Sequence, residues 1–308
     1  MTGSQDSEAW NTFWERQDRA GRSQDGIGCL PSGWQGIADT QKRVWQSFTR
    51  SLPKGAKVLD LATGGGVVLQ QIMEQRRDLN LTGVDRATAL PAAPKGITLR
   101  GGIDIADLPF ADDHFAAITS QFGFEYGDIE ASAREAARVL APGGKIGLVT
   151  HRVSGPIVAH NRKRREQIVW AIDDNDLISI AKKSLGLRGA GITAVPQTLT
   201  DAPQKGIAAH GQGSAAWEIA EAVRQTLHLG KNDTPDQVMG VLDDIEAQAR
   251  NELGRIASLE RAAAVASDGD QFAKVLEDAG FTYNQEAMLT DGRSPDPFAT
   301  FHVYSLNS

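Results

Sequence analysis

Short apolar runs alternate with stretches of helical periodicity between residues 57 and 150, and this alternation constrains the fold more than any other feature of the sequence. The runs that predict buried strands are 57–61, 79–85, 97–104, 116–122 and 145–150. Helices are predicted at 67–77 and 128–140. Strands and helices of these lengths, in alternation, are typical of a parallel sheet covered by helices on both faces. We therefore predict an α/β core.

Two helical segments flank or interrupt this core. Residues 1–53 are rich in tryptophan and carry amphipathic stripes, one of them formed by Trp10, Phe13 and Trp14, so they predict a helical cap. Residues 154–267 lose the strand pattern and predict a helical insertion.

One part of that insertion has a different composition. Residues 186–213 are rich in Gly, Pro, Thr and Ala, which predicts an irregular loop or a mobile lid. The clearest helix of the insertion begins after Thr234, because Thr234 can cap it, Pro235 suits its first position and Gln237 completes a capping box. The strand pattern returns at 268–308, where a helix precedes two strands, 281–289 and 300–306, that can pair as a hairpin.

The composition excludes several classes of protein. With 41% hydrophobic and 23% charged residues, the 308-residue chain has the composition of a globular protein and not of a disordered one. Its net charge of −7 argues against nucleic acid as the main partner, because such binding begins with a basic surface that neutralises phosphates.

The sequence also gives expectations about location. No apolar run reaches the roughly 18 residues of a membrane span, and the first ten residues lack the basic start and apolar stretch of a signal peptide. The single cysteine, Cys29, excludes an internal disulfide and a cysteine-built metal site. We expect a cytoplasmic protein without a membrane span.

Three glycines follow the first predicted strand, in the sequence DLATGGG at 60–66. Glycines between a strand and a helix let the backbone approach a ligand closely, and the N-terminus of the next helix attracts a carboxylate or phosphate. The second predicted strand ends at Asp85, where an acidic side chain can accept both hydroxyls of a ribose. The two features suit either a dinucleotide or a nucleoside that carries an amino acid.

Two residues argue against the dinucleotide. The dinucleotide fingerprint needs a third glycine, and Leu69 occupies that position. Asp60, at the start of the loop, suits the ammonium group of an amino acid better than a pyrophosphate.

Four segments in order resemble the class I S-adenosylmethionine-dependent methyltransferases, particularly the subgroup that includes quinone-biosynthesis methyltransferases. They are VLDLATGGG at 58–66, GVD at 83–85, DIADLPF at 104–110 with Phe115, and RVLAPGG at 138–144. The sequence departs from the commonest pattern at Ala62, which replaces the first loop glycine, and at Ala116. The resemblance implies a Rossmann-like, seven-stranded, mostly parallel sheet with a terminal antiparallel hairpin, plus a helical insertion.

The resemblance also implies a domain organisation and a cofactor. Residues 54–153 would form the cofactor-binding core, 268–308 would complete it, 1–53 would cap it, and 154–267 would serve as a lid, a substrate-recognition element or a dimerisation arm. The cofactor would be S-adenosyl-L-methionine, released as S-adenosyl-L-homocysteine, and no metal is expected. The residues expected to bind the cofactor are Asp60, Ala62, Thr63, Gly64, Gly66, Asp85, Arg86, Asp104, Ile105, Gln121 and Phe122.

Three titratable residues are expected at the rim near the transferred methyl group. Glu125 and Tyr126 follow the fourth strand, and His151 ends the fifth. Each is a candidate catalytic base or a group that orients the acceptor. The remaining histidines lack the spacing of metal ligands.

The expected function is therefore methyl transfer to an oxygen, nitrogen or carbon of a small-molecule acceptor, by in-line displacement. A homodimer through the insertion is an expectation of the same kind. Three alternatives remain open: an RNA or protein methyltransferase, for which the basic run at 162–165 is the support; an NAD(P)-dependent oxidoreductase; and a non-catalytic binding protein with the methyltransferase fold.

Overall fold

The structure, a computed structural model, describes residues 10–11, 34–188, 191–192, 194–292 and 296–307. Its first part consists of α1 (Gln35–Thr49), β1 (Lys57–Leu61), α2 (Val67–Gln75), β2 (Asn80–Val84), β3 (Ile97–Arg100), β4 (Phe115–Gln121), a 3-10 helix (Phe124–Tyr126), α3 (Ile129–Val139) and β5 (Leu140–His151). Next come α4 (Pro156–Val169), a π-helical turn (Trp170–Asp174), α5 (Leu177–Leu185), α6 (Gln197–His210), α7 (Ala215–Leu229), a 3-10 turn (Gly230–Asn232) and α8 (Pro235–Ser267). The last elements are α9 (Gly269–Asp278), β6 (Phe281–Leu289) and β7 (Ala299–Leu306).

Seven strands form one sheet in the order β3-β2-β1-β4-β5-β7-β6. Strands β1 to β5 pair in parallel, whereas β7 runs antiparallel to both β5 and β6. The order reverses beside β1, and the crevice at the carboxyl ends of the strands at such a point is where open α/β sheets bind ligands. The predicted Rossmann-like sheet with its terminal hairpin is confirmed.

Hydrophobic side chains pack on both faces of the sheet, because successive residues of a strand point in opposite directions. On β1, Leu59 and Leu61 belong to one core cluster, with Phe272 from α9, and Val58 belongs to the other. Trp45 of α1 is completely buried in that second cluster, as the predicted amphipathic stripe of this helix requires. Phe13, Trp14 and Cys29 lie outside the described residues.

The third strand is shorter than predicted and ends at Arg100 instead of residue 104. Gly102 has a φ of 73°, a left-handed conformation that a strand does not continue. The backbone N–H groups of Gly102 and Ile103 donate to the carbonyls of Ala87 and Asp85, so the chain turns back toward the end of β2.

The described chain separates into two compact units: Met1–Val158 with Ser258–Ser308, and Ala159–Ala257. The second unit has a core of its own, built from small and aliphatic side chains of its helices, among them Ile168, Leu177, Leu199, Val223 and Leu242. The predicted four-part organisation and the roles assigned to 154–267 stay predictions.

The predicted irregular loop at 186–213 is wrong over Gln197–His210, which form α6. Pro203 and Gly206 lie inside this helix and misled the prediction, since both residues usually end helices. At Gly206 an added Cβ would lie 3.1 Å from the backbone nitrogen of Trp217, so the glycine allows α7 to pack closely against α6. The predicted capping box of α8 is confirmed: the Gln237 amide donates to Thr234 Oγ1 (3.3 Å) and the Thr234 amide donates to Gln237 Oε1 (3.0 Å).

Candidate active site

The loop between β1 and α2 is wound tightly at the carboxyl end of the sheet. Ala62, Gly64 and Gly66 have φ angles of 53°, 50° and 75°, all in the left-handed region. The Thr63 amide donates to the Val84 carbonyl (2.9 Å), which ties the loop to β2. Within the described residues no side chain caps α2, so the N–H groups of its first turn and its positive dipole end remain available to an anion.

Asp60 lies under this loop and is 1% exposed. Its two carboxylate oxygens accept hydrogen bonds from Thr63 Oγ1 and Thr119 Oγ1, both at 2.7 Å. Burial raises the pKa of Asp60 to about 7, although the two hydroxyls oppose the shift. A nearby cation would favour its charged form.

Sequence reasoning did not predict how Thr119 and Gly83 support Asp60 and its partner Thr63. Thr119 is the first of three polar residues that follow the apolar start of β4, and this change of pattern was the available signal. Gly83 of β2 makes room for Thr63, because an added Cβ at Gly83 would lie 2.4 Å from Thr63 Oγ1.

Asp85 follows β2 and lies beside the same loop. Its Oδ2 accepts from the backbone amide of Gly64 (2.8 Å) and its Oδ1 accepts from the amide of Ala87 (2.9 Å). Burial raises the pKa of Asp85, and these backbone hydrogen bonds oppose the rise. Each carboxylate oxygen has a second lone pair, so the group can still accept a ligand hydroxyl.

Arg86 and Asp104 form an ion pair at 2.8 Å, with both side chains about half exposed. Asp104 also accepts a hydrogen bond from the Ala106 amide at 3.0 Å. The neighbouring Ile105 is buried in the core. The structure therefore brings these predicted residues together beside the end of β2.

A further contact missed by sequence reasoning supports the segment after Asp104. Arg138 of α3 donates to the carbonyls of Leu108 (2.8 Å) and Phe110 (2.7 Å), and it pairs with Glu135 (2.7 Å) and Asp112 (2.8 Å). Glu135 in turn accepts from the Leu108 amide at 2.8 Å. Arg138 thus fixes the loop to α3.

Gln121 and Phe122 end β4 at the crevice. Gln121 Oε1 accepts a hydrogen bond from the indole nitrogen of Trp45 (2.8 Å), so α1 holds this side chain. Phe122 has a left-handed φ of 56°. The next residue, Gly123, lies against the glycine loop: an added Cβ there would be 2.4 Å from Ala62 Cβ.

The three catalytic candidates lie together. Glu125 Oε1 accepts hydrogen bonds from both the backbone amide (3.0 Å) and Nδ1 (2.8 Å) of His151. The side chains of Glu125 and His151 are 0% and 4% exposed. The ring of Tyr126 meets the His151 ring edge-on at a centroid distance of 5.8 Å, and the centroid of the Phe122 ring lies 4.2 Å from that of His151.

Residues 10 and 11 connect two rims of the crevice. The Trp10 ring packs edge-on against Tyr126 at 6.0 Å, and Asn11 Oδ1 accepts from the Thr88 amide at 2.9 Å. Since Thr88 follows β2 and Tyr126 follows β4, residues 10 and 11 reach both loops. Sequence analysis placed Trp10 in an amphipathic stripe of the predicted cap and did not predict its contact with Tyr126.

Other predicted features have ordinary structural partners. In the basic run, Arg164 forms ion pairs with Glu252 and with Glu218 (3.3 Å) inside the second unit. The described part of the chain contains no group of three or more His, Cys, Asp or Glu side chains placed to hold a metal ion. None of its described helices combines the length and apolar character of a membrane span.

Comparison with known proteins agrees with this geometry. Residues 59–148 match a family model described as a methyltransferase domain. The demethylmenaquinone methyltransferase of Corynebacterium urealyticum is 36% identical over 127 residues, which cover 38% of this chain and 52% of that protein. The enzyme of the same name from Thermus thermophilus is 36% identical over 98 residues, which cover 29% of this chain and 44% of that protein. The chain thus spans about half the length of the curated relatives it matches.

Solved structures include similar chains. A crystal structure of an S-adenosylmethionine-dependent methyltransferase from Mesorhizobium loti matches with a TM-score of 0.41 and 15% identity, over 91% of this chain and all of that one.

Proposed function

Because residues 59–148 are a class I S-adenosylmethionine-dependent methyltransferase domain, we propose that the protein transfers a methyl group from S-adenosylmethionine to a small-molecule acceptor. One arrangement carries the proposal. Asp60 and Asp85, on neighbouring strands, both bond to the same glycine loop, through Thr63 and Gly64. A site built from two buried carboxylates and an uncapped helix start suits a ligand with an ammonium group, a carboxylate and ribose hydroxyls.

The residues present fit this cofactor. We assign its amino-acid part to Asp60, to Ala62, Thr63, Gly64 and Gly66 of the loop, and to the first turn of α2. We assign the ribose to Asp85 and the adenine to the neighbourhood of Asp104 and Ile105, with Arg86, Gln121 and Phe122 at the edges of the site. The raised pKa of Asp60 supports its assignment to the ammonium group. Burial makes the charged carboxylate unfavourable, and a bound cation offsets that cost.

The chemistry that the cofactor supplies is a methyl group already activated by attachment to a sulfonium. The protein must then orient the acceptor and exclude water. The loops that carry Phe122, Glu125 and Tyr126 lie against the glycine loop through the Gly123–Ala62 contact, so they are placed to do this.

We propose a small, ring-containing acceptor, such as a quinone or a related aromatic compound. The names of the curated relatives support this class, as do the aromatic rings at the rim. The negative net charge and the ion pairs of Arg164 weigh against RNA. We further propose a cytoplasmic enzyme whose segment 154–267 acts as a lid, a substrate-recognition element or a dimerisation arm. Light scattering of the purified protein tests the dimerisation arm.

Isothermal calorimetry with S-adenosylhomocysteine tests the proposal. We expect binding to the wild-type protein and much weaker binding to Asp85→Ala. A thermal-shift comparison with NADH is the control for the oxidoreductase alternative. Stabilisation by NADH and not by S-adenosylhomocysteine would overturn the proposal.

A further inference from the structure

Glu125 and His151 form a buried, hydrogen-bonded pair that leaves one carboxyl oxygen of Glu125 without a partner among the described residues. A single oxygen, Oε1, accepts from both the backbone amide and Nδ1 of His151. The second oxygen, Oε2, is buried and has no hydrogen-bond partner among the described residues. Burying a carboxyl oxygen without a partner is costly, so packing alone does not account for a glutamate at this position.

The hydrogen bond at Nδ1 determines which ring nitrogen of His151 can react. A neutral imidazole carries one proton, and the nitrogen that donates to a carboxylate keeps it. With Nδ1 donating to Glu125, the lone pair of the ring lies on Nε2. Among the described residues, the hydrogen bonds of His151 involve its backbone amide and Nδ1, and none involves Nε2.

The position of His151 connects it with the proposed cofactor site. The His151 ring packs on Phe122. Gly123, the residue after Phe122, lies against Ala62 of the glycine loop. The Tyr126 ring also contacts the His151 ring, and the Trp10 ring contacts that of Tyr126. Flat aromatic surfaces around a basic nitrogen suit a flat acceptor that carries a proton on, or conjugated with, the attacking atom.

Resting on the proposed function, we propose that His151 is the catalytic base, that Glu125 is its positioning residue, and that the acceptor is a phenol-type hydroxyl compound. As the hydroxyl oxygen forms its bond to the methyl carbon, the electrons of the breaking carbon–sulfur bond stay on sulfur, which becomes a neutral thioether. The hydroxyl proton moves to Nε2 of His151. The carboxylate of Glu125 then faces a positively charged ring, and the proton leaves later to water.

The first test needs no acceptor. Nuclear magnetic resonance of labelled histidine nitrogens, in the protein bound to S-adenosylhomocysteine, reports which nitrogen of His151 carries the proton near neutral pH; His151→Gln assigns the signal. We expect the proton on Nδ1 and a bare Nε2, and a larger share of the opposite tautomer in Glu125→Gln. A proton on Nε2, or an unchanged signal in Glu125→Gln, would overturn the proposal.

The second test measures turnover with catechol, 2-naphthol and 1,4-dihydroxynaphthalene as probes. We expect at least one to be methylated, with kcat at least about 100-fold lower in His151→Gln and KM nearly unchanged. His114→Gln is the matched control, because His114 precedes β4 at the opposite end of the sheet, where it contacts Lys57.

Calorimetry separates the two proposals. If S-adenosylhomocysteine binds wild type and His151→Gln alike, the cofactor site is intact and any loss of turnover belongs to the base. Methylation of none of the three phenols, or equal turnover by His151→Gln, would overturn this inference while leaving cofactor binding untouched. Failure of the wild type to bind S-adenosylhomocysteine would instead overturn the proposed function.

Discussion

The carboxylate of Asp85 accepts a hydrogen bond from the backbone amide of Gly64 at 2.8 Å, which joins the end of β2 to the glycine loop after β1. The residue proposed to bind the ribose therefore also shapes the loop proposed to bind the amino acid. Its substitution must affect both protein stability and cofactor affinity, and a useful experiment has to separate the two effects.

Asp85→Ala removes the acceptor for the amides of Gly64 and Ala87. We expect a loss of about 1–3 kcal/mol in the free energy of unfolding and a 10- to 100-fold weaker affinity for S-adenosylhomocysteine. Asp268→Ala is the matched control, since Asp268 accepts from the Gln271 amide as a helix cap far along the chain. Asp268→Ala should lower the free energy of unfolding by about 1 kcal/mol and leave the affinity for S-adenosylhomocysteine unchanged. Equal affinities in both variants would contradict the assignment of Asp85.

Asp60→Asn removes a carboxyl whose pKa is about 7 in the native protein against 3.8 for an ordinary aspartate. The native state binds this proton more tightly than the unfolded state, so the contribution of Asp60 to stability is lost as pH rises from about 4 to about 7. The variant lacks this loss. Its stability relative to wild type should increase over that range, by up to roughly 4 kcal/mol, and then stay constant.

Urea unfolding at several pH values measures this difference. Asp78→Asn is the control, because the hydrogen bond from Arg76 lowers the pKa of Asp78 to about 2. The stability of this variant relative to wild type should not increase between about pH 4 and 7. If the free energies of unfolding of wild type and Asp60→Asn change with pH in parallel, burial does not raise the pKa of Asp60.

Gly123→Ala places a Cβ 2.4 Å from Ala62 Cβ, so one of the two loops must move. We expect lower thermal stability and weaker binding of S-adenosylhomocysteine, because the displaced loop holds the cofactor. Ala62→Gly removes the colliding atom, and Ala62 already has a left-handed φ of 53° that glycine adopts easily. The double variant should recover most of both properties. If it recovers neither, the two loops do not touch.

Trp45→Phe removes the hydrogen bond from the indole nitrogen to Gln121 Oε1 and leaves that oxygen without its donor. The expected cost is about 1–3 kcal/mol in the free energy of unfolding. In a double-mutant cycle with Gln121→Ala, the two effects should not add, and the coupling should be about 1 kcal/mol or more. Additive effects would mean that the two side chains are independent.

The sheet and the glycine loop could be predicted from sequence because their signals are local. Strand periodicity, three successive glycines and an aspartate at a strand end lie within about 30 residues of one another. The helix Gln197–His210 could not be predicted in this way, since it contains Pro203 and Gly206, and the reason for Gly206 is the close approach of α7. Tertiary packing there outweighs local propensity.

The candidate base shows the same limit. Glu125, Tyr126 and His151 could be named from their positions after strands, but nothing local indicates that Glu125 binds His151 or that Trp10 reaches Tyr126. These contacts join residues 26 and 116 positions apart. Only the assembled sheet brings them together.

A crystal structure of the complex with S-adenosylhomocysteine tests the central claim most directly. We predict that the amino-acid end lies on the loop between Ala62 and Gly66, and that a ribose hydroxyl lies within hydrogen-bond distance of Asp85. A nucleoside bound elsewhere on the protein, with Asp85 still engaged only by the amides of Gly64 and Ala87, would contradict the account.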